Sequence, residues 1–279
     1  MTGSQTISEI YKGQKKSFLA HLNSAKSLEE ETIHKLRVNV KRLRSLLKFL
    51  NILSEEKFNK KKLVKLVLPI FKSAGKIRAT TLNIKLTKVY RSKAILDFKV
   101  YLKEKEKREK KFFLKKIKKF HKGKFKKFHK QIVTVFKHAD QKLVSQKCKE
   151  YVKIIFSKIH ADMPNINSDE NFHDVRKKLK DIKTISELLG NITARKKLLP
   201  GQKKVVSIEE RIGKWHDTVT LVEELERYIK SPVNINANEA EKNKKNKDNE
   251  TLSILVLNLK ARNEVSKKLI SGQLKKKLF

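Results

Sequence analysis

Negative charge is what this sequence has least of: 29 Asp and Glu stand against 69 Lys and Arg in 279 residues, a formal net charge of +40 at pH 7. That excludes an ordinary neutral globule. Self-repulsion on this scale opens a compact chain unless a polyanion or counterions screen it, so the expected partner is nucleic acid, a membrane surface or polyphosphate. Cysteine occurs once, at Cys148. A lone thiol rules out an intramolecular disulfide framework and a Cys-cluster zinc site, and it reads as a small buried apolar residue. Glycine and proline number only eight and four. Tight turns consume both and helix interiors exclude them, so a β-sandwich or a doubly wound sheet is excluded and an all-α chain is expected. Long apolar runs are missing as well. Residues 63–71 are interrupted by Lys65 and Pro69 and fall short of the ~20 residues that span a bilayer. Residues 1–16 lack the apolar centre of a secretory signal. The expectation is a chain without a transmembrane segment, located in the cytoplasm.

What is present is 38% hydrophobic residues, including 14 Phe, enough for one or two cores. Their spacing predicts roughly eight to ten helices. Ile7, Ile10, Tyr11, Phe18, Leu19 and Leu22 approximate helical spacing over 6–24. Ser27-Leu28-Glu29-Glu30 then offers a capping box for a second helix running to about 53, with Ile33, Leu36, Val40, Leu43, Leu47 and Leu50 as its apolar stripe. A third helical region over 54–90 is expected to break or kink between Pro69 and Gly75. The pattern continues over 93–136, with a break near Gly123, and over 139–160, until Met163-Pro164-Asn165 stops it. A helix from Ser168 or Asp169 carries Phe172, Val175, Leu179, Ile182, Ile185 and Leu189 and ends in a Gly190-Asn191 cap; another spans 202–230. Residues 231–250, with Pro232 and six Asn, read as a flexible linker before a last helix over 250–276.

One comparison within the chain carries the functional reading. His34-Lys35-Leu36-Arg37-Val38-Asn39-Val40-Lys41-Arg42-Leu43-Arg44 and His173-Asp174-Val175-Arg176-Lys177-Lys178-Leu179-Lys180-Asp181-Ile182-Lys183 both have His at offset 0, Arg at 3, Lys at 7 and a base at 10. They lie 139 residues apart, half the chain. A second match keeps the register: Gly75-Lys76-Ile77-Arg78 follows His34 by 41 residues, and Gly213-Lys214-Trp215-His216 follows His173 by 40. A duplicated unit explains both. At about 100° per residue the four basic offsets share a stripe about 80° wide and roughly 15 Å long, bordering the core face. Lys48 extends the first stripe by a turn, whereas Glu187 takes the corresponding place in the second. Such a row suits a chain of phosphates: Arg gives forked donors, Lys point charge, and His directional N–H bonds. In a chain with 58 Lys any single lysine is ordinarily part of a solvated face, but His and Arg number only 8 and 11 and recur at equivalent positions. Because His titrates near neutrality, polyanion binding is expected to strengthen as the pH falls from about 8 to 6.

Segments 34–50 and 172–190, followed by Gly75-Lys76-Ile77-Arg78 and Ile212-Gly213-Lys214-Trp215-His216-Asp217, resemble the duplicated signatures of the CHAD family, the conserved histidine α-helical domain. The resemblance extends over about 1–230. It implies a single domain over 1–279, with an N-terminal half at 1–162 and a C-terminal half at 163–279. It further implies two pseudo-symmetric antiparallel helical bundles around a shared basic groove. The function implied is non-catalytic binding of inorganic polyphosphate, with no cofactor or metal and with polyphosphate granules as a place of association. By position, His34, Arg37, Lys41 and Arg44 line one half and His173, Arg176, Lys180 and Lys183 the other, with Arg78 and His216 completing the two sides. Arg42, Lys48, Lys76, Lys177 and Lys214 are neighbouring bases of the same segments. The family commonly has Asp after the basic residue of the first Gly segment, where Ala79 stands here; Asp217 is kept in the second.

Residues 99–130 hold 16 Lys and Arg against 3 Glu, with Phe112, Phe113, Phe120, Phe125 and Phe128 among them. This Lys-rich insert is either an arm that captures polyanion or stacks on single-stranded bases, or a long helix that packs its Phe on the body with its lysines in water. The second is the preferred use of the aromatics. Nonspecific binding of RNA or DNA is the competing function, since the same charge attracts any polyanion, and an enzyme acting on polyphosphate is the third. Glu104-Lys105-Glu106-Lys107-Arg108 superficially matches the acidic strand motif of triphosphate tunnel enzymes but lies in a helical pattern. A phosphoacceptor role for His34 would need a Gly-rich ATP-binding domain that the chain lacks. His121 and His129, eight residues apart, lack metal-ligand spacing.

Overall fold

The computed structural model describes residues 6–55, 60–190, 202–231 and 239–278, and among them the chain is all-α. The helices are α1 (Ile7–Ser24), α2 (Glu30–Leu53), α3 (Lys60–Leu86), α4 (Lys93–Lys118), α5 (Lys122–Val135), α6 (Gln141–Asp162), α7 (Asp169–Leu189), α8 (Gln202–Ile229) and α9 (Glu239–Leu278). One order of packing occurs twice. α1 packs on α2, α2 on α3 and α3 on α4; α6 packs on α7, α7 on α8 and α8 on α9, with α5 joining the two runs. They meet through their middle helices, α2 against α7 and α3 against α8.

The hydrophobic interior does not divide in the same way. Phe18, Leu36, Leu43 and Phe49 of the first run and Ile159, Phe172, Leu179 and Ile182 of the second belong to one core. A smaller core joins Ala94, Ile95, Phe98 and Leu102 of α4 to Leu221, Val222 and Leu225 of α8 and Leu252, Val256 and Leu259 of α9. Burying each such side chain contributes about 1.5–3 kcal/mol. Repulsion between two exposed lysines 4 Å apart is about 1 kcal/mol in water and less in salt. The core therefore outweighs surface repulsion, and the helices close despite the charge.

Several local features depart from the expectations. Thr6 opens α1 with a capping box to Glu9, but the box expected at Ser27-Leu28-Glu29-Glu30 is not formed. Ser27 Oγ accepts from the Glu29 N–H at 3.4 Å, and Leu28 turns the chain with φ 61°. α3 runs unbroken through Pro69 and Gly75. Proline in a helix interior costs about 3 kcal/mol, and the buried row Leu63, Val67, Ile70, Ala74 and Ile77 supplies more than that. The break between α4 and α5 falls at residues 119–121, leaving Gly123 inside α5. Gly190 has φ −55° and so does not adopt the left-handed cap conformation; Asn191 lies outside the described residues. The linker expected at 231–250 is helical from Glu239 onward, where Lys244 pairs with Asp97 at 3.6 Å and Lys245 donates to the Ser231 carbonyl at 2.7 Å. Once Leu252 anchors the helix, adding turns ahead of it needs no new nucleus. Pro232 lies outside the described residues.

The Lys-rich segment is part of this packing. Phe113 and Phe125 are fully buried, and Phe125 meets Phe18 at 5.1 Å and Phe120 at 5.5 Å, whereas Phe112 is 45% exposed. Cys148 is buried, and burial pushes its thiol up to about 12. No described helix is long and apolar enough to cross a membrane. Urea unfolding checks the division of labour among the aromatics. Phe125→Ala is expected to cost about 3–5 kcal/mol and Phe112→Ala less than about 1 kcal/mol; similar losses at the two positions would contradict it.

Candidate functional site

α2 and α7 carry the two His-x-x-Arg stripes, and α3 and α8 carry the glycines on which they rest. Arg37 lies directly on Gly75: a Cβ there would come within 2.5 Å of its Nη1. The guanidinium donates to the Phe71 carbonyl at 3.1 Å and sits 4.8 Å over the Phe71 ring, with Arg44 over the same ring at 5.2 Å. In the second half Arg176 lies on Gly213, its Nη2 3.4 Å from where a Cβ would stand. The register shared by the two sequence matches is thus one contact made twice, arginine on glycine. Beside it the rings of His173 and His216 are 4.6 Å apart, and Trp215 meets Phe172 edge-on at 4.8 Å.

The cations of both halves converge. Lys41 of α2 is half-buried among Lys180 and Arg176 of α7 and Arg37 of its own helix. Burial first, and then these charges, push it from 10.5 down to about 7 against the pull of Glu209. Arg37 falls to about 10 through burial and the charge of Arg78. Burial, followed by His173, Arg176, Lys180 and Lys41, takes His216 down to about 4. His34 and His173 are also lowered, mainly by burial. Burial raises the Asp217 carboxyl, opposed by Arg176, Arg78, Lys180 and Lys41 around it. In addition, Nδ1 of His173, Nε of Arg176 and Nε1 of Trp215 are buried with no hydrogen-bond partner among the described residues. Cationic groups outnumber the carboxylates Glu209 and Asp217 beside them.

Several of the anticipated bases, inside the cluster and outside it, already have partners. Arg42 pairs with Glu187 at 3.3 Å and Lys48 with Asp181, both across the α2–α7 contact, so these two bases hold the helices together. Lys177 pairs with Asp174 at 2.8 Å on the outer face of α7, and Arg78 binds Glu30 beside Lys85. Lys180 and Lys183 lie 2.9 and 3.8 Å from Glu209. Lys76 points at the exposed Phe112 ring, 6.0 Å away, and Lys214 is exposed. Two residues of the site escaped a search directed at bases, Phe71 and Glu209. Helical spacing contained the signal for the second, since positions 209, 213, 216 and 217 share a face of α8. The pH response near neutrality also changes owner: the histidines are depressed, and the group that titrates near 7 is Lys41. No group of three His, Cys, Asp or Glu able to hold a metal gathers among the described residues.

Comparison with known proteins agrees with the all-α fold. A family profile described as the CHAD domain matches residues 10–226, and the chain belongs to that family. Its fold is similar to the crystal structure of the CHAD domain from the plant Ricinus communis, with a TM-score of 0.70 and 12% identity, covering 99% of this chain and 93% of that one. It is also similar to PptA from Streptomyces chartreusis, with a TM-score of 0.66 and 11% identity over 97% and 98% of the two chains. No sequence among the curated proteins matches.

The crowding of Lys41 has a measurable consequence. Between pH 7 and 10.5 Lys41 is neutral in the folded chain and protonated in the unfolded one, so at this residue unfolding takes up a proton and the contribution of Lys41 to stability rises with pH across that window. In urea unfolding, Lys41→Met is expected to stabilise the protein more at pH 6 than at pH 10. An equal effect at both values would mean that Lys41 is not crowded.

Proposed function

We propose that this protein binds inorganic polyphosphate, as a non-catalytic module, in the groove between α2–α3 and α7–α8. The observation that carries the reading is the convergence of Arg37, Arg176 and Lys180 on Lys41, whose proton is held only weakly. Such cations repel one another until a dense linear anion lies among them, and polyphosphate supplies one negative charge per repeating unit without bases that a groove would have to admit. Arg37 and Arg176 direct forked donors at the chain, and Lys41 and Lys180 neutralise it. The exposed lysines of α4 and α5 raise the rate of capture through long-range attraction. Family membership supports the reading, as do the two repeated arginine-on-glycine contacts.

Nucleic acid is the alternative polyanion, and competition separates the two. Size-defined polyphosphate and a single-stranded oligonucleotide of matched charge are titrated across a salt series, where electrostatics alone would make them equal. Polyphosphate is expected to hold its advantage as salt rises; an oligonucleotide that equals or beats it there moves the function to nucleic-acid binding. Arg37→Ala with Arg176→Ala is expected to weaken polyphosphate binding by roughly a hundredfold or more, from ~1.5–3 kcal/mol per charge-assisted bond. Removing Lys118 and Lys127 is expected to have a small effect, and equal losses would indicate diffuse attraction. Gly75→Ala moves Arg37 without changing the charge and is expected to weaken binding as well. Incubation with polyphosphate and magnesium is expected to release no phosphate.

A further inference from the structure

The two halves of the groove are neutralised unequally. Phe71 and Glu209 hold matching places, each four residues before the glycine that receives the arginine. In the first half the place is taken by a ring, which attracts the guanidinium groups of Arg37 and Arg44 without cancelling their charge. In the second it is taken by a carboxylate that is only 5% exposed and lies 2.9 Å from Lys180 Nζ and 3.8 Å from Lys183 Nζ. Burial pushes the Glu209 carboxyl up, but the bond from Lys180 and the charges of Lys180, Arg176 and Lys183 outweigh it and hold it below its ordinary value. Asp217 adds a second carboxylate to this half, at the place of Ala79 in the first.

We infer that Glu209 sets the chain-length preference of the groove: it holds Lys180 and Lys183 as a built-in anion, and a ligand gains the second half only by taking those lysines from it. The inference rests on the polyphosphate reading above. A short anion meets a competitor that the fold has already positioned, whereas the anion must give up its own translational freedom to bind. A long chain anchored on Arg37 and Arg44 is in a different position. Its next phosphates reach Lys180 at an effective concentration on the order of millimolar, whatever the concentration in solution. Lys41 and Lys180 stand on α2 and α7, which pack directly on one another, so the path from the first half to the second is short. Short chains therefore occupy the first half alone, and long chains bridge both.

The test titrates tripolyphosphate and long-chain polyphosphate into the full chain and two variants at one ionic strength, by calorimetry. Glu209→Gln removes the competing charge; Glu210→Gln makes the same charge change at an exposed neighbouring position. Glu209→Gln is expected to tighten tripolyphosphate about tenfold or more and the long chain less than about threefold, with Glu210→Gln moving either by less than about twofold. Equal tightening of both ligands by Glu209→Gln, or an effect no larger than that of Glu210→Gln, overturns the inference. Absence of long-chain binding by the unaltered protein sinks the polyphosphate reading itself, and this inference with it, before any variant is compared. Thermal unfolding shows whether Glu209→Gln is folded. Glu209→Leu, which leaves no polar group to satisfy, is a second variant with the same expected and overturning results.

Discussion

Lys41 lies near enough to Lys180 and Arg176 for their charges to loosen its proton, and bringing like charges together is unfavourable until something neutralises them. The α2–α7 interface supplies what that approach needs. Leu36, Leu43, Leu179 and Ile182 are fully buried in one core, and Arg42–Glu187 and Lys48–Asp181 tie the same two helices at their exposed edges. The apolar part carries most of the energy, at about 1.5–3 kcal/mol per side chain, while exposed ion pairs contribute about 0–1 kcal/mol each. The two pairs matter more for register, since they fix which turn of α2 faces which turn of α7 and hence which cations meet. The clustering of these cations is a consequence of that crossing.

Glycine serves the same end from behind. Arg37 could not lie flat on α3 if a side chain projected at 75, whereas at 213 a Cβ would only just touch Arg176. The Arg37 guanidinium is backed by α3, donates to the Phe71 carbonyl and lies over the Phe71 ring, so its position is set by the fold. Pre-positioning of this kind lowers the ordering cost of binding. It also burdens the free protein, whose most crowded lysine and histidine are pushed down to about 7 and about 4. Stability is given up at the site and recovered in the core, a common division where function requires like charges to meet.

Much of this was legible in the sequence. Helical periodicity placed α1, α2, α7 and α8 closely, because long amphipathic stripes report their own burial. The His34 and His173 stripes with their Gly75 and Gly213 partners marked both halves of the site, because scarce residue types repeated in register do not depend on tertiary detail. What could not be read were outcomes of competition between local preference and packing. Pro69 signals a break, but Leu63, Val67, Ile70 and Ala74 are buried on the same helix and override it. The Asn-rich stretch signals a linker, but its helix is continuous with an anchored one from Glu239. Glu209 was invisible for another reason: a search for cations passes over the carboxylate that modulates them.

The single core shared by both halves bears on how the chain is made. α1 and α3 cover α2 only in part, and the side that packs on α7 waits for a helix more than a hundred residues further on. At a synthesis rate of ~5–20 residues per second, the interval is on the order of ten seconds. Throughout it the first half presents unburied leucines, the usual starting point for aggregation. It also presents a dense positive charge, and growing chains of one strong sign repel each other. The lysines that surround the finished groove therefore act earlier as well, keeping incomplete copies of the protein apart.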